Sequence, residues 1–202
     1  ITTKGGDSMS SSKKLSGFHP SRVRGAGANS KGFNEYPIAN ARSGAIFQGD
    51  LVKVTAGTIA PVAAITDYAV GVFMGCRYVD PVSKQPVWSK YYPSGTSSDD
   101  SNVYAFVDDD SRTTFIIQAD ASVTAGAMNS FNYDVTLGAG STGTGKSGFG
   151  LKAATATSAT AAVRPIRYWA SPDNESDTDR AFPQLEVRIV QHIDNRAIVC
   201  VA

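Results

Sequence analysis

Residues 140–147 read Gly-Ser-Thr-Gly-Thr-Gly-Lys-Ser and fill every fixed position of G-x-x-x-x-G-K-[ST], the loop that cradles nucleotide phosphates. That chemistry needs a buried strand before the loop and a helix after it, whose first amides meet the phosphates. A strand-like run, FNYDVTL (131–137), does precede the octet. The next residues are GFGLK (148–152), with Gly148 and Gly150 in the would-be first helical turn. Each glycine there costs a helix about 1 kcal/mol relative to alanine. A nucleotide fold also requires parallel strands joined by helical crossovers, and no segment from 45 to 202 carries that pattern. The octet is therefore expected to be an exposed glycine-rich connection between two strands, with Lys146 a surface charge and nucleotide hydrolysis the least favoured function.

The other residues suited to chemistry are dispersed. Asp108, Asp109 and Asp110 stand together but run into Ser111 and Arg112, the pattern of a turn with one arginine-paired carboxylate. Asp173, Glu175, Asp177 and Asp179 have a spacing suggestive of a calcium loop, yet the central glycine and distal glutamate are missing. His19, His192, Cys76 and Cys200 are isolated, with no ligand spacing to one another. The cysteines are expected to be free thiols. Neither a G-x-S-x-G elbow nor an H-E-x-x-H helix occurs. No catalytic residue, metal or cofactor is expected, and the chain reads as a non-enzyme.

The elements that position these residues are short. Charged residues make up 18% of the chain and apolar residues 42%, with 19 glycines among 202 residues, a balance that favours β-structure with many turns over a helical bundle. From Ala45 onward, runs rich in β-branched and aromatic residues recur between turn signals: AIFQGDLVKVTAGTIAPVA, AVGVFMGCRYV, PVWSKYY, NVYAFVDDD, TTFIIQADA, FNYDVTL, AVRPIRYWA and LEVRIVQHI. Their spacing is that of sandwiches and barrels. LEVRIVQHI alternates, placing Leu185, Val187, Ile189 and Gln191 on one face and Glu186, Arg188, Val190 and His192 on the other. SVTAGAMNSF offers one or two helical turns at most, and KAATATSATAA reads equally as a loop or an edge strand. The expected fold is all-β, a small barrel or sandwich of short antiparallel strands. No apolar run reaches the ~18 residues of a membrane helix, and no basic-then-apolar leader opens the chain.

Residues 1–44 differ from this body, taken as 45–202. They hold seven basic and two acidic residues, a net +5, against −4 for the remainder. Their aromatics are scattered among Gly, Pro and Arg, so no core of their own is expected. The reading is an extended arm, flexible over 1–15, that orders on a partner surface. Phe18, Phe33 and Tyr36 would fill pockets, Arg22, Arg24 and Arg42 would pair with carboxylates, and Pro20 and Pro37 would keep the arm extended. Trp88, Tyr91, Tyr92 and Trp169 are candidate interface aromatics. Their alternative roles are packing in the core or stacking against glycans. A charge of +5 over 44 residues is too sparse for a specific nucleic-acid binder.

The segment YPIANARSGAIFQGDLVKVTAGTIAPVAAITDYAVGVFMGCRYVD (36–80) carries the sequence Gly49-Asp50-Leu-Val-Lys-Val, a turn at Gly57, Ile59-Ala-Pro-Val-Ala, and then Gly71-Val72-Phe73. With the GFHPSRVRG and NEYPIA stretches (17–39), Trp88-Ser-Lys-Tyr-Tyr-Pro93 and the glycine-rich octet, it resembles the small β-barrel proteins that decorate or cement tailed-bacteriophage capsids, especially structural proteins of marine tailed phages. The resemblance covers most of 17–150, and 151–202 add compatible strands. It implies a capsid accessory protein on the virion exterior, assembled in the host cytoplasm. Its partner would be the major capsid protein, and it would be a homo-oligomer, a trimer on this resemblance alone. A tail or fibre-base module binding host glycans is the alternative. Neither a membrane nor a specific nucleic acid is expected as partner.

Overall fold

The computed structural model describes residues 13–25, 32–64, 66–96, 103–128, 130–157, 161–170 and 181–195. Fourteen strands are found there: β1 (His19–Val23), β2 (Asn34–Pro37), β3 (Ile46–Phe47), β4 (Leu51–Thr55), β5 (Thr58–Pro61), β6 (Gly71–Val79), β7 (Pro86–Ser89), β8 (Tyr91–Tyr92), β9 (Tyr104–Asp108), β10 (Thr113–Gln118), β11 (Asn132–Thr136), β12 (Gly150–Thr157), β13 (Val163–Tyr168) and β14 (Gln184–Ile189). All named pairings are antiparallel. The helical turns of SVTAGAMNSF reduce to a short 3-10 turn at Ala125–Ala127. No α-helix occurs among the described residues.

The strands form two large sheets, sandwich-like and not closed into a barrel. The first has the order β1-β10-β14-β13-β11-β12. The second has the order β2-β9-β6-β4-β5, with β7 also on β6, and β3 pairs β8 in a small separate ribbon. Alternation along the strands builds two cores. Phe115, Ile117, Leu185, Val187, Ile189 and Val163 point from the first sheet onto Leu51 and Val72 of the second. Val52, Phe73, Ala105 and Val107 point to the opposite face of the second sheet, where Ile46 of β3 and Tyr92 of β8 cover them. The second sheet is thus the middle layer, and neighbouring residues such as Leu51 and Val52 serve different cores.

Residues 17–24 and 33–44 are built into this framework. β1 lies at the edge of the first sheet on β10, and β2 at the edge of the second on β9. Phe18 is fully buried and meets Phe115 edge to face, 6.0 Å between centroids. The boundary expected at residue 44 therefore does not separate an arm from a body among the described residues. Composition obscured this because both edge strands find their partners at 104–118, far along the chain. Proline placement follows the same logic: Pro20 and Pro37 sit in edge strands, and Pro165, in an interior strand, sits at a register shift. KAATATSATAA takes the edge-strand option over its first part, as β12.

Candidate functional site

The phosphate-loop octet joins β11 to β12, which pair antiparallel, so it closes a long hairpin. Its amides are used internally. Gly145 N donates to Ser141 O at 2.8 Å, Ser141 N to Lys146 O at 2.9 Å, and Ser147 N to Gln48 O at 2.9 Å. Lys146 is exposed, and the next element is a strand, not a helix. The amide fan that would receive a phosphate is not formed. The octet is nevertheless less exposed than expected, since Gly145 and Ser147 are buried. Gly140 lies so close to the Phe47 ring that a side chain there would overlap it.

What the octet does is clamp the 47–50 turn, with Gln48 N donating to Gly145 O and Ser147 N to Gln48 O. The chain at Ser16–Phe18 passes between the 47–50 turn and residues 147–149. Gly17 N donates to Phe149 O and Phe18 N to Gly49 O, both at 3.0 Å. Gly17 has φ +78°, and a Cβ on it would lie 2.5 Å from both Gly49 O and the Ser147 Cβ. Asp50 ties the crossing together: its carboxylate accepts Phe47 N at 2.8 Å and a hydrogen bond from the Ser147 side chain. Burial pushes its carboxyl up to about 6, although those two bonds and the Arg42 charge pull the other way.

The remaining candidate chemistry separates into structural tasks. Asp108 accepts from Thr113 Oγ1 at 3.1 Å, Asp109 from Asn34 Nδ2 and the Tyr36 hydroxyl, and Asp110 holds Arg112 and caps its turn. The Cys76 thiol is buried, pushed up to about 12 by that burial, and donates to Tyr91 O. His19 Nε2 lies 2.9 Å from Ser16 Oγ, while burial and the nearby Lys146 lower its pKa. Among the described residues, no three His, Cys, Asp or Glu side chains gather to hold a metal. The acidic stretch 173–179 and Cys200 lie outside the described residues.

The residues expected to dock on a partner divide. Phe18 and Tyr92 are core residues, Tyr92 donating to Thr96 O and meeting Tyr78 edge to face. Neither ring is available to a partner, because both are fully buried, Tyr92 in β8 and Phe18 just before β1. Arg22 is committed to Glu186, and Tyr36 packs on the second core. Arg42 donates to Gly44 O at 2.6 Å beside Asp50. Tyr91 is half-buried, stacked on Phe47, and Trp169 is half-buried beyond the end of β13. Phe33, Pro37 and Arg24 are exposed. Pro20 is half-buried within β1.

Trp88 differs from all of these. It is 66% exposed, the largest ring the described surface offers so openly. It stacks nearly parallel on Phe106, 5.5 Å between centroids. The Arg77 guanidinium lies 5.8 Å from the Trp88 ring centroid and 5.4 Å from that of Tyr104. Glu35 is 3.7 Å from Arg77. Register explains the grouping: Arg77 is paired with Trp88 on one side and Tyr104 on the other, and Phe106 with Gly75 and Glu35. These side chains occupy the same face of the middle sheet as Leu51 and Val72, but beyond the part that the first sheet covers. Trp88 stands out in the sequence; Arg77, Tyr104 and Phe106, which surround it, do not. The alternation of YAFVD opposite Ala105 and Val107 was the signal that could have placed the last two together.

A second polar feature lies on the outer face of the first sheet. Glu186 is 0% exposed, held by Arg22 Nε at 2.7 Å, Arg167 Nε at 2.5 Å and Thr114 Oγ1 at 2.7 Å. Burial raises its pKa, but the bonds from Arg167, Thr114 and Arg22 outweigh burial and hold it below the usual carboxylate range. Compared with known proteins, the chain matches no protein-family model, and no similar curated protein or solved structure was found.

Proposed function

We propose that the protein is a virion structural protein, a capsid decoration or cement protein that binds the major capsid protein lattice of a tailed phage and acts as a homo-oligomer. The observation that carries the reading is the open platform of Trp88, Phe106, Tyr104 and Arg77. Tryptophan, tyrosine and arginine are the residues that dominate protein interfaces. Here they are held by mutual stacking on a strand framework, so little side-chain freedom remains to be lost on docking. The sequence resemblance to capsid cement proteins supplies the kind of partner. The docking element moves accordingly, from the N-terminal stretch to the uncovered half of the middle sheet. Deleting residues 1–44 is then no clean test, because it removes β1, β2 and Phe18 from the fold.

The test is co-sedimentation with expanded phage capsids. Trp88→Ala and Arg77→Ala should each weaken binding at least tenfold while the β-type circular dichroism spectrum is kept. Undiminished binding by both folded variants would refute the platform as the docking surface. Retention on a glycan array that is lost in Trp88→Ala would favour the receptor-binding alternative instead.

A further inference from the structure

We propose that a cleft at one end of the first sheet is a binding site for a tetrahedral oxyanion, the phosphate or sulfate group of a ligand. The cleft has a volume of about 480 Å³, and Arg24, Ser111, Arg112, Arg188 and Asn195 line it. Three strand ends converge to make it. Arg24 follows β1, Ser111 and Arg112 form the β9–β10 turn, and Arg188 is the penultimate residue of β14. The Arg24 N–H donates to Arg112 O at 3.0 Å, which fixes the first two walls against each other.

The charges in this place are unbalanced. Arg22 on β1 is in register with Thr114, Thr114 with Arg188, and Arg188 with Arg164 on β13. Arg188 and Arg164 therefore stand directly opposite on neighbouring strands, an arrangement that destabilises a sheet when nothing lies between the charges. Arg22 and Arg167 share the buried Glu186, Arg112 has Asp110, and Arg164 Nε donates to Asn132 Oδ1 at 2.7 Å. Arg24 and Arg188 have no ion-pair partner among the described residues. The pKa of Arg188 is lowered by burial, then by the neighbouring Arg164 and Arg24 charges. A folded protein carries such like-charge crowding at a cost, which a bound anion would relieve.

The donor set selects the anion. Three guanidiniums present many N–H groups in rigid forks, and Ser111 and Asn195 add a hydroxyl and an amide. A lone carboxylate has two oxygens and one charge. A phosphate group has three or four oxygens and close to two charges, matching Arg24 and Arg188 together while Asp110 keeps Arg112. This site lies on the first sheet, shares no residue with the Trp88 platform, and does not rest on capsid binding.

The experiment is calorimetric titration of the full chain with sodium pyrophosphate at fixed ionic strength. Parallel titrations use sulfate, a single-stranded oligonucleotide and a glutamate-rich peptide. Pyrophosphate should bind and raise the melting temperature. Arg24→Gln and Arg188→Gln should each weaken it about tenfold or more, as expected for losing a charge-assisted hydrogen bond. Lys146→Gln, on the exposed octet, should bind as the parent does. Without anion, folded Arg188→Gln should be at least as stable as the parent, since crowding is relieved. Sulfate binding equally well would support the oxyanion class and extend it to sulfate esters. Equal pyrophosphate affinity in both arginine variants would overturn the proposal. So would tighter binding of the peptide, or binding of the oligonucleotide alone.

Discussion

Asp50 makes the fold sensitive to pH in a direction opposite to that of most carboxylates. Its side chain is almost fully buried where residues 16–18, the 47–50 turn and the octet cross. An exposed aspartate titrates near 3.8, and this one is pushed up to about 6. A raised folded pKa means that the group favours folding below about 3.8 and loses that contribution as pH rises through about 6. The gap of about two pH units corresponds to roughly 3 kcal/mol at pH 8. Asp50→Asn removes the titration, and an amide can still accept from Phe47 N–H and donate to Ser147 Oγ. The variant should match the parent near pH 4 and exceed it by up to about 3 kcal/mol at pH 8. In a chain of this length that is a rise in melting temperature of roughly 6–12 °C. Urea titrations of both proteins from pH 4 to 8 give the difference directly. A difference that stays constant with pH, or a variant weaker than the parent at pH 8, would refute the reasoning.

Glu186→Gln should act in the opposite sense. Its folded pKa is lowered, so its contribution is present above about 4.5 and fades as pH falls; the variant should lose about 2 kcal/mol at pH 7, with the gap closing towards pH 3 in urea titrations. The loss stays below that of a fully buried pair because Arg22 and Arg167 are about half exposed and can be hydrated. In the octet, Gly140→Val should lower stability by about 1–3 kcal/mol by forcing a side chain onto Phe47, while Lys146→Ala should change it by less than about 0.5 kcal/mol, both read from thermal melts.

The strands were legible wherever alternation was strong. Leu185, Val187 and Ile189 were placed on one face from spacing alone, and all three are in the first core. The outward Glu186 shows where that reading stops. Spacing puts it on the solvent side, yet it is fully buried, because Arg22, 164 residues earlier, and Arg167 close over it. The N-terminal stretch resists a local reading for the same reason. Gly, Pro and Arg between scattered aromatics look coreless to any local window, but Phe18 needs only Phe115, and β1 needs only β10. Around residue 90 the sequence could not divide WSKYY. Trp88 points out and Tyr92 in because they belong to different strands on different partners, β6 and β3, and the choice of partner is not a local property.

The uncovered half of the middle sheet arises from the same geometry. β6 is nine residues long, and β4 pairs only with its first two, Gly71 and Val72. The first sheet packs over that end, through Leu51 and Val72. Further along β6, β7 replaces β4 as the neighbour, and the face that was core becomes surface. Polar residues alone would end the sandwich there at no energetic cost. The chain instead places Arg77, Trp88, Tyr104 and Phe106 on it, and the buried Arg77 Nε has no hydrogen-bond partner among the described residues. An exposed stacked tryptophan beside a guanidinium whose side chain is 39% exposed is costly in an isolated fold and favourable once a partner pairs with the outer guanidinium nitrogens and covers the ring. That imbalance, more than the presence of aromatics, is the physical ground for proposing binding at this face.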